Sequence, residues 1–79
     1  MLLEVRLYSG LEIYVENVKY GKPFQVELPS GGTGRQLLDK LNIPQEQVFS
    51  ILVNGIHRDR DDQMEDGDRV ALFPPVGGG

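Results

Sequence analysis

Leu3, Val5 and Leu7 alternate with Glu4 and Arg6, and this period of two predicts a half-buried strand from Leu2 to Tyr8. Ser9–Gly10 breaks it. Leu11 to Tyr20 is rich in β-branched and aromatic residues but has no clean period, so it reads as a hairpin return or a long loop, ended by Gly21–Lys22–Pro23. Phe24, Val26 and Leu28 alternate with Gln25 and Glu27, which predicts a second strand, closed by Pro29–Ser30–Gly31–Gly32.

At Thr33 the period changes. The Thr33 hydroxyl is placed to accept from the Gln36 amide while the Gln36 side chain reaches back, a reciprocal capping box. Leu37, Leu38 and Leu41 share one helical face, with Arg35, Asp39 and Lys40 turned to water. Ile43 precedes Pro44 and is pushed out of the α region, so the helix spans Gly34 to Leu41. Pro44 to Gln47 predicts one further turn. Val48 to Val53 is β-prone, with Phe49, Ile51 and Val53 expected on one face. Asn54–Gly55 is the preferred pair for a type I′ hairpin turn, and Ile56 to Arg58 should pair back. Arg60 to Gln63 reads as a polar loop, Asp66–Gly67–Asp68 as a turn, and Arg69 to Phe73 as a last strand. The order β, β, helix, β, β, β describes one α+β domain over residues 1–73. Strands from near both termini can then lie side by side in the middle of a mixed sheet of about four to five strands, the β-grasp arrangement.

Composition narrows the chemistry. In 79 residues there is no cysteine and one histidine, so disulfides, iron–sulfur clusters, thiol nucleophiles and cysteine-ligated zinc are excluded. A chain of this size buries only about 60% of the surface its unfolded form exposes, which leaves little room for an enclosed active site. Twelve acidic against eight basic residues give a net charge of −4, which disfavours nucleic acid and suits a basic partner surface. The start, Met1–Leu2–Leu3–Glu4, is no signal peptide, and no run is long enough to span a membrane, so a cytoplasmic protein is expected.

Residues 74–79 read Pro74–Pro75–Val76–Gly77–Gly78–Gly79. Two prolines favour extended backbone and push the chain off the sheet as a stiff stalk. The glycines after them have no side chain to pack. Such a tail can thread a narrow channel and deliver the Gly79 carboxylate to another protein's active site. Glycines alone fit an idle linker equally well, but the rigid run before them favours a stalk. A carboxylate reacts only once its oxygen is a leaving group, as in a mixed anhydride with AMP, from which a sulfur donor can displace AMP to leave a thiocarboxylate. The chain has neither G-x-x-x-x-G-K-[ST] nor G-x-G-x-x-G, so adenylation falls to a partner.

Val53–Asn54–Gly55, the run from Met64–Glu65–Asp66–Gly67–Asp68 to Leu72, and Phe73–Pro74–Pro75–Val76–Gly77–Gly78 together resemble the ubiquitin-like sulfur carriers. The resemblance is nearest to the small subunits of molybdopterin synthase. Leu28–Pro29, the Thr33-capped helix with Leu37–Leu38, and Ile43–Pro44 extend it over most of the chain, least over residues 11–23. It implies a β-grasp fold and a C-terminal glycine that a ubiquitin-activating-type adenylating enzyme activates with ATP and a sulfur donor system thiocarboxylates. It implies further that the tail enters the large subunit of molybdopterin synthase and gives up sulfur for the molybdenum or tungsten cofactor. On this resemblance Gly78 and Gly79 are the sulfur-carrying end, and Phe73, Pro74, Pro75, Val76 and Gly77 are the segment that partners grip. The chain itself would be a non-catalytic small subunit with no catalytic residue, no metal and no bound cofactor. The family usually ends in two glycines; three here put the sulfur on Gly79, or on Gly78 after trimming. Gly34 stands where a β-branched residue is expected, which should weaken the helix start slightly. Sulfur delivery to thiamine, cysteine or tRNA, a ubiquitin-like modifier joined to lysines, and an interaction module with an idle tail remain as alternatives.

Outside the tail, His57 reads as a solvated strand residue, and Arg58–Asp59–Arg60–Asp61–Asp62 as a solvated loop of mixed charge. Turn chemistry accounts for the acidic Glu65, Asp66 and Asp68, which lack the spacing of a calcium loop. Tyr14 and Tyr20 belong over the sheet edge or at an interface. Phe73 is open between core and docking patch, and Leu52 is expected in the core.

Overall fold

The computed structural model describes residues 1–75. Strands β1 (Leu2–Leu7), β2 (Phe24–Glu27), β3 (Ser50–Val53), β4 (Ile56–His57) and β5 (Arg69–Phe73) form one sheet in the order β2-β1-β5-β3-β4. The first and last strands lie parallel at its middle, and every other pairing is antiparallel. One helix, α1 (Gly34–Leu41), supplies the buried Leu37 and Leu38 to the core. This is the β-grasp arrangement that the strand order implied.

Alternation in β1 does what its pattern demands. Leu3, Val5 and Leu7 are buried beneath the helix, where Val5 pairs with Val70 and Leu7 with Leu72. Ile51 and Val53 complete the layer from β3, opposite Leu72 and Val70. Full burial of each such side chain is worth about 1.5–3 kcal/mol, and no polar side chain is buried among the described residues.

The helix begins with the anticipated capping box: Thr33 Oγ1 accepts from the Gln36 amide at 3.3 Å, and Gln36 Oε1 accepts from the Thr33 amide at 2.9 Å. It ends at Asn42, which takes left-handed backbone (φ 58°), its amide donating to the Asp39 carbonyl at 3.1 Å. Asn54 and Gly55 have φ of 52° and 83°, the two positive values of the type I′ turn between β3 and β4. The irregular stretch 8–23 carries β1 round to β2 with a single 3₁₀ turn, Leu11–Tyr14, pinned by the buried Leu11. Val15 and Val18 pack against the core from the same stretch.

Two expectations fail. Phe49 does not share the buried face of Ile51 and Val53, being 72% exposed. Ser50 is the register partner of Phe73, yet the Phe49 amide also donates to the Phe73 carbonyl at 2.8 Å. Two residues thus oppose one, a β-bulge, and the alternation slips: Val48 takes the buried place and Phe49 turns out. Leu52 lies outside the core, half-buried on the open face, because it pairs with Ala71 and His57 on the side away from the helix.

Gly34, at the helix start, also marks a close approach. A Cβ there would lie 3.0 Å from Ile51 Cδ1 and 3.3 Å from the Arg60 carbonyl oxygen. That carbonyl accepts the Arg35 amide at 2.9 Å, so loop 58–63 caps the helix from outside. The Arg60 guanidinium turns inward to the Val48 carbonyl and to Gln45 Oε1, so this loop is a clasp as well as a solvated charge run.

Candidate functional site

β5 is the middle strand, held by β1 on one side and β3 on the other. It stops at Phe73 because Pro74 has no amide to continue a ladder. Both flanks reach the stop point: the Tyr8 amide donates to the Leu72 carbonyl at 3.2 Å, and the Phe49 amide to the Phe73 carbonyl. The tail therefore starts from the most firmly held strand of the sheet. Pro74 is half-buried and Pro75 exposed. Of the residues expected to work in the tail, Val76, Gly77, Gly78 and Gly79 lie outside the described residues.

Aromatic rings surround the root. Tyr8 and Phe73 stack face to face on the open side of the sheet, with centroids 4.7 Å apart and planes 5° from parallel. Tyr20 meets Tyr8 edge-on at 5.4 Å. Gly21 closes over the same ring with positive φ (68°), and a Cβ on it would stand 3.3 Å from Tyr8 Cε1. Phe73 thus resolves to the open face, not the core. Tyr20 joins it there, while Tyr14 lies on the 3₁₀ turn. Sequence reasoning misses Tyr8 as a site residue, although its parity with Glu4 and Arg6 in β1 already places it on the water side.

Below the rings, a shallow groove of about 280 Å³ crosses the open face between Glu4, Arg6, Tyr8, Leu52 and Ala71. Enclosed small-molecule pockets begin at roughly that size and bury most of their ligand. This one is an open trough, apolar near the tail root and polar toward Arg69 and Asn54, a shape suited to a protein surface.

The remaining polar groups hold the fold together. Asp66 Oδ1 accepts from the Leu2 amide at 2.6 Å, and Asp68 accepts from the Glu65 amide at 2.8 Å and from Asn54 Nδ2 at 3.0 Å. These contacts pin β1 and the β3–β4 turn to the turn before β5. Arg58 pairs with Asp62 at 3.3 Å and Arg35 with Asp61 at 2.9 Å. Hydrogen bonding first and charge second, Arg35 holds the Asp61 carboxyl below its ordinary value, and Asp61 raises Arg35 in return. Both belong to a solvent-exposed ion pair, which explains the shifts without any catalytic role. His57 is exposed on β4. Among the described residues no group of three or more His, Asp or Glu side chains is placed to hold a metal, and no helix is long and apolar enough to cross a membrane.

This geometry has known counterparts. A Pyrococcus furiosus protein described as molybdopterin converting factor subunit 1 superposes with a TM-score of 0.75 at 25% identity, over 96% of this chain and 99% of that one. Small archaeal modifier protein 1 of Haloferax volcanii gives a TM-score of 0.72 at 21% identity, over 95% and 98% of the two chains. A Helicobacter pylori chain, from the complex of subunits 1 and 2 of the molybdopterin-converting factor, gives 0.62 at 24%, over the whole of both chains. The last two likenesses bear on the fold alone. No curated protein matches the chain significantly. The profile of the ThiS family matches residues 14–79, and the chain belongs to that family.

Proposed function

We propose that the chain is a sulfur carrier for molybdopterin assembly, the non-catalytic small subunit of a molybdopterin synthase-type complex acting in the cytoplasm. The observation that carries the reading is the tail root. The middle strand of the sheet ends against Pro74–Pro75 beside a stacked aromatic pair. Such a root is made to present the tail to another protein.

A partner enzyme of the ubiquitin-activating type joins the terminal glycine carboxylate to AMP from ATP, releasing pyrophosphate. A hydrosulfide equivalent from the sulfur donor then attacks the acyl carbon. AMP leaves with the former carboxylate oxygen, and the chain keeps a thiocarboxylate. The glycine concerned is Gly79, or Gly78 after trimming. The thiocarboxylate enters the large subunit, where its sulfur passes to the pterin precursor and water restores the carboxylate. The likeness to subunit 1 of a molybdopterin converting factor from Pyrococcus furiosus supports a partner of this kind. The open face, with Tyr8, Leu52, Ala71 and Phe73 beside the tail, is the surface it would cover.

Intact mass after incubation with an adenylating enzyme, ATP and a sulfur donor tests this. Exchange of one oxygen for sulfur at the last glycine is expected, and removing Gly78–Gly79 should abolish it with the fold intact. Full sulfur transfer by that truncated chain would overturn the reading. The second reading is a protein modifier, which uses the same activation but ends in an amide to lysine. Adducts that survive reducing agent, with no thiocarboxylate formed, would replace the first reading with it.

A further inference from the structure

Phe49 is exposed against the alternation of its strand. Its neighbours alternate so that position 49 should join Ile51 and Val53 under the helix, yet it stands 72% exposed. What turns it outward is the bulge opposite Phe73, and such bulges re-aim side chains and end strand pairing. This one puts an unpaired aromatic ring beside the point where the tail leaves the sheet. Tyr8 and Phe73 satisfy each other on the open face, whereas Phe49 makes no aromatic contact among the described residues. It lines a separate depression with His57, Arg58, Asp59 and Asp62, on the β4 side of the tail root.

We infer that Phe49 is the anchor by which the activating enzyme grips this carrier, inserting into an apolar recess beside the mouth of the channel that takes the tail. The inference rests on the proposed carrier function and names a contact of its first step. Distance brings the activating enzyme to the tail root. Six residues, Pro74 to Gly79, follow Phe73, and fully extended they reach only about 20 Å. An enzyme that encloses a nucleotide together with the terminal carboxylate must press its surface against the tail root to reach that far. Activation precedes every use of the tail, for sulfur or for lysine, so the activating enzyme is the occupant that both readings require. Arg58 pairs with Asp62 on the rim and leaves Asp59 as its net charge, which, in a chain of net charge −4, fits a recess with a basic border.

The ring is exposed and the bulge is held by backbone, so Phe49→Ala should melt with the wild type. ATP–pyrophosphate exchange by the activating enzyme, measured against carrier concentration, gives the test. Phe49→Ala should raise KM about ten-fold or more with kcat unchanged, the mark of a lost anchor. Phe49→Leu, which keeps an apolar plug, should recover to within about three-fold. A KM for Phe49→Ala within about two-fold of wild type, as for a near-neutral contact, overturns the inference. So does a loss in kcat alone. Normal exchange with weakened transfer from preformed thiocarboxylate also overturns it, and would assign Phe49 to the acceptor. Absence of exchange with the wild-type chain, by an enzyme active on another carrier, removes the functional reading itself.

Discussion

The two faces of this one sheet are built from adjacent residues and do opposite things. Along β5, Val70 and Leu72 are buried beneath the helix while Ala71 and Phe73 look the other way. In β1, Val5 and Leu7 go in and Arg6 goes out, as does Tyr8 just past the strand. The inner face is closed by apolar packing. The outer face remains half-covered, with its aromatic rings gathered at the tail root and its charges at the far end. A sheet with one solvated face is ordinary in antiparallel architecture; here the solvated face is graded, and its apolar end lies where the chain leaves the sheet. Stability and recognition can therefore be separated by moving a substitution one residue along a strand.

The largest effect belongs to the inner face. Leu72 is wholly buried between Leu7 and Ile51, on the middle strand. Leu72→Ala should cost about 3 kcal/mol through lost burial and the cavity left behind. Small domains hold roughly 5–15 kcal/mol in total, so the urea midpoint should fall by a large fraction. A fall of less than about 1 kcal/mol, well below the range for such truncations, would mean that the helix-side layer is not what holds the sheet.

Next comes the join between the inner layer and the loop that clasps the helix. At Gly34 a side chain would meet Ile51 Cδ1 at 3.0 Å and the Arg60 backbone at 3.3–3.4 Å. Ile51 can swing its terminal methyl. The Arg60 carbonyl yields only by loosening its bond to the Arg35 amide. Gly34→Val is expected to cost about 2 kcal/mol by overpacking, which lowers the melting temperature of a domain this size by about 10 °C. Gly34→Ala should cost less, since better helix propensity offsets up to about 1 kcal/mol of the crowding. A valine variant that melts with the wild type would show that loop 58–63 gives way freely.

This position also marks where the sequence stops being legible. Wherever the pattern is local, the chain can be read: the alternation of β1, the Thr33–Gln36 capping box, the Asn54–Gly55 turn and the proline stop after Phe73 each come from residues close in sequence. The features that cannot be read arise between distant segments. The close approach at Gly34 is made by a loop from the other side of β3, and glycine carries no sign of who approaches it. The bulge at Phe49 is a hydrogen-bond register between β3 and β5, and an alternating run looks the same with or without it. Leu52 failed for another reason. Ile51, Leu52 and Val53 are consecutive apolar residues, and only the pairing with Ala71 and His57 says which of them turns to water.

The smallest change in stability should bring the largest change in recognition, and Leu52 is the position that separates them. It sits mid-groove on the outer face, half-buried, with Ala71 and His57 across the strands to either side. Leu52→Gln keeps nearly the same length and puts a polar group where water already reaches. It should therefore shift stability by less than about 1 kcal/mol, as surface substitutions do. Docking a partner on this face removes that water and leaves the amide without solvent, a penalty of about 1–3 kcal/mol. Calorimetric titration with a molybdopterin synthase large subunit should then show Kd raised about ten-fold or more, each factor of ten being about 1.4 kcal/mol. The tail is untouched by the substitution, so ATP-dependent thiocarboxylation should proceed to the same extent. An unchanged Kd in a variant that folds normally would mean that the graded outer face is not the docking surface and that the acceptor reads the tail alone. A loss of affinity that tracks a loss of fold would instead place Leu52 with the inner layer and erase the distinction between the faces at that position.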